Sequence, residues 1–119
     1  MKYIDLRSDT VTKPSKGMLA AMMKAKLGDD VFSEDPTIIA LQEKCAKLTG
    51  KEKALFVPTG VMGNQLAIKA HTISGDEVIV ESESHILNYE TGGPSVISNV
   101  QLLPLKGENG ILDVETIRM

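Results

Sequence analysis

The sequence predicts an α/β fold, an incomplete and mostly parallel sheet with flanking helices, on three observations. Short apolar runs of strand length (Ala54–Val57, Glu77–Val80, Val100–Leu105) alternate with longer segments whose apolar residues recur every three or four positions. Glycine, proline, asparagine and aspartate punctuate the boundaries between them. The alternation of strands with helices argues for a parallel sheet covered by helices.

From the beginning of the chain, residues 1–14 form an expected extended N-terminal arm with no helical period, carrying the polar groups Asp5, Arg7, Ser8, Asp9 and Thr10. Residues 15–50 form an expected helical segment. Ser15 is an N-cap for a helix striped by Met18, Leu19, Met22 and Met23, with Gly28 as its stop. Asp35-Pro36 opens the next helix, striped by Ile38, Leu41, Cys45 and Leu48 and ended by Gly50. Residues 51–119 are expected to begin an α/β domain. In it Ala54–Val57 is a buried strand, and Pro58-Thr59-Gly60 turns into a helix striped by Met62, Leu66, Ala70 and Ile73. A second strand covers Glu77–Val80. Ile86, Leu87 and Tyr89 suggest a short helix that Gly92-Gly93-Pro94 breaks. A third strand, Val100–Leu105, precedes the turn Gly107–Gly110, and Asp113 caps a helix from Val114. That helix has under two turns before Met119, too little to be stable unpacked, so the expectation is a chain cut inside an element.

Composition narrows the function. The net charge is −3 and the basic residues are scattered, which argues against nucleic acid as a partner. No apolar run has the length of a membrane span, and Met1–Asp5 lacks the apolar stretch of a signal peptide. Cys45 is the only cysteine, so neither a disulfide framework nor a cysteine zinc site is expected. A reducing, cytoplasmic location follows as an expectation. Cys45 lies on an apolar helical stripe and reads as a core thiol, and the Met-rich helix reads as core.

Two places could carry chemistry. At Val57-Pro58-Thr59-Gly60-Val61-Met62-Gly63 a helix N-terminus offers free N–H groups, a hydroxyl and glycines that let a ligand approach. The ending of a Walker loop and the Gly-x-Gly-x-x-Gly pattern are both missing. Spacing alone leaves two readings open, a phosphate cup or a Thr N-cap with tolerated glycines. His85 follows the Glu77–Val80 strand, where α/β sheets collect ligand-binding residues, although a loop histidine among polar neighbours is also an ordinary surface residue. His71 takes no role. Asp29, Asp30, Glu34 and Asp35 lack calcium-loop spacing and read as a solvated loop with helix caps, so no metal is expected.

Taken together, five blocks resemble the start of the low-specificity L-threonine aldolases, pyridoxal-phosphate enzymes of the aspartate-aminotransferase fold. They are Asp5–Thr12; Gly28–Val31 with Glu34-Asp35-Pro36; Gly50-Lys51-Glu52; Phe56–Gly60 with Met62–Gln65; and Ser84-His85 with Tyr89-Glu90. The resemblance covers essentially the whole chain. It implies that residues 51–119 start the cofactor-binding large domain of that fold, and that L-threonine or L-allo-threonine is cleaved to glycine and acetaldehyde. It further implies that Thr59, Gly60 and the Val61 N–H cradle the cofactor phosphate and that His85 stacks on the pyridine ring and handles the proton of the substrate hydroxyl. Ser8 would bind the substrate carboxylate, and the 28–36 loop would lie near a subunit interface and the active-site entrance of a homotetramer or homodimer.

Departures from the family pattern are Val61 for a usual threonine, Phe32 for a common tyrosine and Ser33 for a common glycine. Members run to roughly three times this length, beyond the usual single-domain range. The Schiff-base lysine, the aspartate that pairs with the pyridine nitrogen and the arginine that grips the carboxylate lie later in the pattern and have no match here. The leading expectation is therefore an N-terminal portion of such an aldolase, inactive alone, from a truncated reading frame, a split gene or a partial polypeptide. The competing readings are a portion of a related β-eliminating amino-acid lyase, and a non-catalytic module that pairs with another chain.

Overall fold

A computed structural model describes residues 3–118. Met1 and Lys2 of the expected arm, and Met119 of the expected last helix, lie outside the described residues. The chain divides into two compact units, Met1–Phe56 and Val57–Met119.

In the first unit the arm carries one 3-10 turn, Asp9–Val11, capped by Ser8. Helix α1 spans Lys16–Lys24, with the Ser15 hydroxyl accepting from the Met18 N–H. It stops short of Gly28, because Ala25 turns the backbone extended. Gly28 serves the following loop instead: its N–H donates to Asp35 Oδ2 at 3.1 Å, and a Cβ there would stand 2.1 Å from the Glu34 carbonyl oxygen. Helix α2 spans Pro36–Thr49. Asp35 Oδ1 accepts from the Thr37 and Ile38 N–H groups, Pro36 sits in the first turn, and Gly50 takes the left-handed conformation (φ 64°) that closes the helix.

The apolar stripes of this unit are not buried. Met18, Leu19, Met22 and Met23 are all exposed, which corrects the expectation of a methionine core. Cys45 is exposed as well, with Leu41 and Leu48, so it is not a core thiol. On α2 the chain returning after Gly50 lies along a different face from the one that carries Leu41, Cys45 and Leu48. Residues Glu52–Ala54 line a groove with Ile39, Gln42 and Ala46, the neighbouring face of α2, and the Phe56 N–H donates to Gln42 Oε1 at 2.8 Å. That bond also explains why Ala54–Val57 is no strand: it goes to a side chain, and none of these residues joins a sheet ladder among the described residues.

The second unit contains helix α3 (Gly60–His71), strand β1 (Glu77–Glu81), helices α4 (His85–Asn88) and α5 (Gly93–Ser98), strand β2 (Gln101–Leu105) and helix α6 (Val114–Ile117). β1 and β2 pair in parallel, Glu77 with Gln101 through Glu81 with Leu105. The crossover carries α4 and α5, and α5 packs on both α3 and β2. The α5 helix was not expected. Gly92-Gly93-Pro94 breaks the chain after α4 and also starts α5, since proline in a first turn loses no helical hydrogen bond. Val80, Val100, Pro94 and Ser98 are buried, together with Gln65 and Glu90.

The buried position of α3 is the polar Gln65, whereas Met62 and Leu66 of the expected stripe are exposed and Ile73 lies beyond the helix end. Glu81, at the carboxyl end of β1, accepts from the N–H groups of Glu83 (2.7 Å) and Gly107 (3.1 Å) and from the Ser82 hydroxyl (3.0 Å). It thereby ties the exits of the two strands together. Beyond β2, Asn109 (φ 52°) and Gly110 (φ 79°) turn the chain between Glu108 and Ile111, the left-handed pair a two-residue hairpin turn needs. Asp113 caps α6 through the Thr116 N–H.

Candidate functional site

The N-terminal turn of α3 is built by a short local sequence. Thr59 is extended, and its Oγ1 accepts from the Met62 N–H at 3.1 Å, which leaves the hydroxyl proton free to donate. The Gly63 N–H is taken by the Thr59 carbonyl. The N–H groups of Gly60 and Val61 have no protein acceptor among the described residues. A Cβ at Gly60 would meet nothing within 4 Å, and Thr59, Gly60 and Val61 are all exposed. Two unclaimed N–H groups, a hydroxyl and open space at the positive end of a twelve-residue helix fit a phosphate dianion. Val61 adds its N–H but no hydroxyl. Beside this turn a largely apolar cavity of about 350 Å³ is lined by Thr59, Val61, Met62, Gln65, Leu66, Lys69 and Ile97.

His85 opens α4, four residues past the β1 end. Its side chain is 62% exposed, its ring centroid lies 5.3 Å from that of Tyr89 with the planes tilted by 33°, and Nε2 stands 3.7 Å from Glu90 Oε1. The Glu90 side chain is fully buried. Its Oε1 accepts from Asn64 Nδ2 and its Oε2 from Gln65 Nε2, both at 2.6 Å. One carboxylate therefore touches the second turn of α3 and the His85 ring. Gln65 Oε1, Ser84 Oγ and Ser98 Oγ are buried without partners among the described residues.

Glu90, Asn64 and Gln65 were missed as site residues in the sequence. Their signal was present only as membership in the Met62–Gln65 and Tyr89-Glu90 blocks, and the contacts themselves span 25 and 26 residues. Ser8 belongs to the first unit, where its Oγ accepts from the Thr10 N–H (3.2 Å) and the Thr10 hydroxyl (2.9 Å). Hydrogen bonds from the Ile38 N–H first, and also from Gly28 and Thr37, hold the Asp35 carboxyl below the ordinary carboxylate range. Among the described residues no three His, Cys, Asp or Glu side chains gather as a metal site, and no helix is long and apolar enough to cross a membrane.

The family profile described as beta-eliminating lyase matches residues 5–119. The low specificity L-threonine aldolase of Escherichia coli (strain K12) is 46% identical over 117 residues, covering 98% of this chain and 35% of the relative. The low-specificity L-threonine aldolase 1 of Arabidopsis thaliana is 47% identical over 119 residues, covering 98% of this chain and 33% of the relative. A protein named alanine racemase TOXG, from Cochliobolus carbonum, is 43% identical over 107 residues, with 89% of this chain and 28% of the relative covered. The chain thus spans about a third of the length of the curated relatives it matches. With the α/β topology and a profile match over nearly every residue, the chain belongs to the beta-eliminating lyase family.

Proposed function

We propose that this chain supplies the phosphate cup and the ring-stacking surface of a pyridoxal-phosphate-dependent aldolase that cleaves L-threonine or L-allo-threonine to glycine and acetaldehyde. The observation that carries the reading is the N-terminal turn of α3, where the Gly60 and Val61 N–H groups have no acceptor among the described residues and the space over Gly60 is open. The relatives named as threonine aldolases supply the reaction class.

Bound there, the cofactor would supply the electron sink for cleavage next to the amino-acid α-carbon. The chain's own residues then have separable tasks. Thr59, Gly60 and Val61 hold the phosphate with N–H and hydroxyl donors. His85 offers one ring face for stacking and a nitrogen able to take the proton of the substrate hydroxyl. Ser8 hydrogen-bonds the substrate carboxylate. In this reading residues 1–14 are an arm, 15–50 a helical segment and 51–119 the start of the cofactor-binding domain. The complete enzyme is a cytoplasmic homotetramer or homodimer, and the exposed apolar stripes of α1 and α2 support association.

The test is acetaldehyde release from L-threonine by the whole protein with and without added pyridoxal phosphate. Release that depends on the cofactor is expected, along with none from residues 1–119 alone. Cofactor-independent release, or robust turnover by the 119 residues, would overturn the reading. One observation favours a second reading in which the fold is kept and the amino-acid reaction differs: the relative named alanine racemase shares 43% identity with this chain. Interconversion of the alanine enantiomers with no threonine cleavage would select it.

A further inference from the structure

We propose that Glu90 is a positioning residue, which fixes the His85 ring relative to the N-terminal half of α3 through Asn64 and Gln65. The inference rests on the functional reading above for its consequence in cofactor binding, but not for its geometry.

A carboxylate with no solvent exposure is tolerated only where its oxygens are satisfied. Both oxygens of Glu90 are held at 2.6 Å by amides of one helix, Asn64 and Gln65 on α3. No lysine or arginine pairs with it among the described residues; the basic side chain within range is the His85 imidazole, its Nε2 3.7 Å from Glu90 Oε1. The His85 side chain makes no hydrogen bond among the described residues, and the Glu90 carboxylate is the charged group within ion-pair range of its ring.

The backbone at Glu90 is held as firmly as its side chain. Its carbonyl accepts from the Gly93 N–H (3.0 Å) and the Thr91 hydroxyl (2.8 Å). Thr91 sits at φ 51°, a left-handed conformation that a β-branched residue adopts only where its surroundings enforce it. A Cβ at Gly93 would stand 2.9 Å from Gln65 Nε2, so the start of α5 leaves room for this glutamine and little more. The strain, the close approach and the buried carboxylate converge on one link from the α3 helix to the ring of His85. A cofactor that reaches both the cup and the ring needs their separation set in advance, and this link sets it.

A purely structural tie between α3 and α4 would also break on mutation, so the test must read His85 itself. In the whole apoprotein with histidine rings isotopically labelled, His85 is assigned by the loss of its signal in His85→Phe. Glu90→Gln should shift the His85 ring resonances and weaken cross-relaxation to the Tyr89 ring, with His71 unmoved. Unchanged His85 signals overturn the proposal. The second measurement is a double-mutant cycle on the dissociation constant for pyridoxal phosphate. Glu90→Gln should weaken binding by about 2- to 10-fold in the wild-type background and less than about 2-fold beside His85→Ala. Equal losses in both backgrounds mean a structural tie and overturn it. If Glu90→Gln does not fold, Glu90→Asp, which keeps the charge and retracts it by one methylene, takes its place in both measurements with the same outcomes. L-Threonine turnover by the wild-type protein is assayed in parallel. Its absence sinks the functional reading, while the ring resonances still decide the role of Glu90.

Discussion

The two units of this chain reach order by different routes. In Met1–Phe56, nearly every well-placed group is local: Ser15 caps α1, Asp35 caps α2, Gly50 closes it, and Asp35 reaches back only as far as Gly28. Its buried residues among those described are Asp35 and Ala46, and its methionines and leucines face outward. In Val57–Met119, order comes from a distance: β1 meets β2, Glu81 reaches Gly107, and Glu90 reaches Asn64 and Gln65. Capping fixes where a helix starts and stops, but its apolar face must still find a cover, and helical stability in proteins comes mostly from that cover. The first unit has its boundaries without its core; the second has both.

The largest expected effect comes from attacking the long-range unit. Val80→Asp places a charge in the buried face of β1 and should cost several kcal/mol. Amide hydrogen exchange should then lose protection throughout β1 and β2 while α2 keeps its own. Simultaneous loss in α2 would show one cooperative body in place of two. Gly28→Ala strikes the first unit, where the added methyl meets the Glu34 carbonyl oxygen; about 1–3 kcal/mol should be lost. The Glu34 N–H, bonded to the Asp29 carbonyl, should exchange faster, and no change there would mean that the loop shifts at no cost.

Smaller effects sharpen the contrast. Gly50→Ala and Gly110→Ala each force an alanine into a left-handed position, at about 1 kcal/mol. Denaturant melts should show the first in helical signal and the second in the β2–α6 region, and a shared response would blur the division. The acid limb is the finest probe. Glu81 is held below its ordinary 4.5, chiefly by the Glu83 N–H, and Asp35 below its ordinary 3.8, chiefly by the Ile38 N–H. A depressed carboxyl stabilises the fold above its ordinary value and loses that contribution as pH falls through the lower folded value. Glu81→Gln should therefore flatten the loss of stability below pH 4.5 in the second unit, and Asp35→Asn below pH 3.8 in the first. Acid unfolding unchanged by either substitution would sink this assignment.

What could be read in the sequence follows the same divide. The caps at Ser15, Asp35, Thr59 and Asp113 and the stop at Gly50 stand where the local pattern puts them, because each is a contact within a few residues. The strands at Val78 and Leu102 were legible from apolar runs. The burial of Gln65 and Glu90 was not, because a polar side chain announces nothing about a partner 25 residues away. Cys45 and the methionines were misplaced for the converse reason: periodicity identifies an apolar face without saying what covers it. Ala54–Val57 has strand composition, but a strand exists only by pairing. The Thr59–Val61 turn was legible as an anion cup or a plain cap, and Thr59 does cap the helix, its Oγ1 accepting from the Met62 N–H.

The parallel register of β1 and β2 also sets a schedule. Glu77 must wait for Gln101, so the two strands leave a ribosome roughly two dozen residues apart, about 1–5 seconds at ordinary synthesis rates. Throughout that interval Val78-Ile79-Val80 has no strand partner among the described residues, since the crossover that follows it carries the short helices α4 and α5. An open strand edge of this kind is a template for wrong pairing, and slower translation through the codons for residues 82–100 would lengthen the interval in which it stays open.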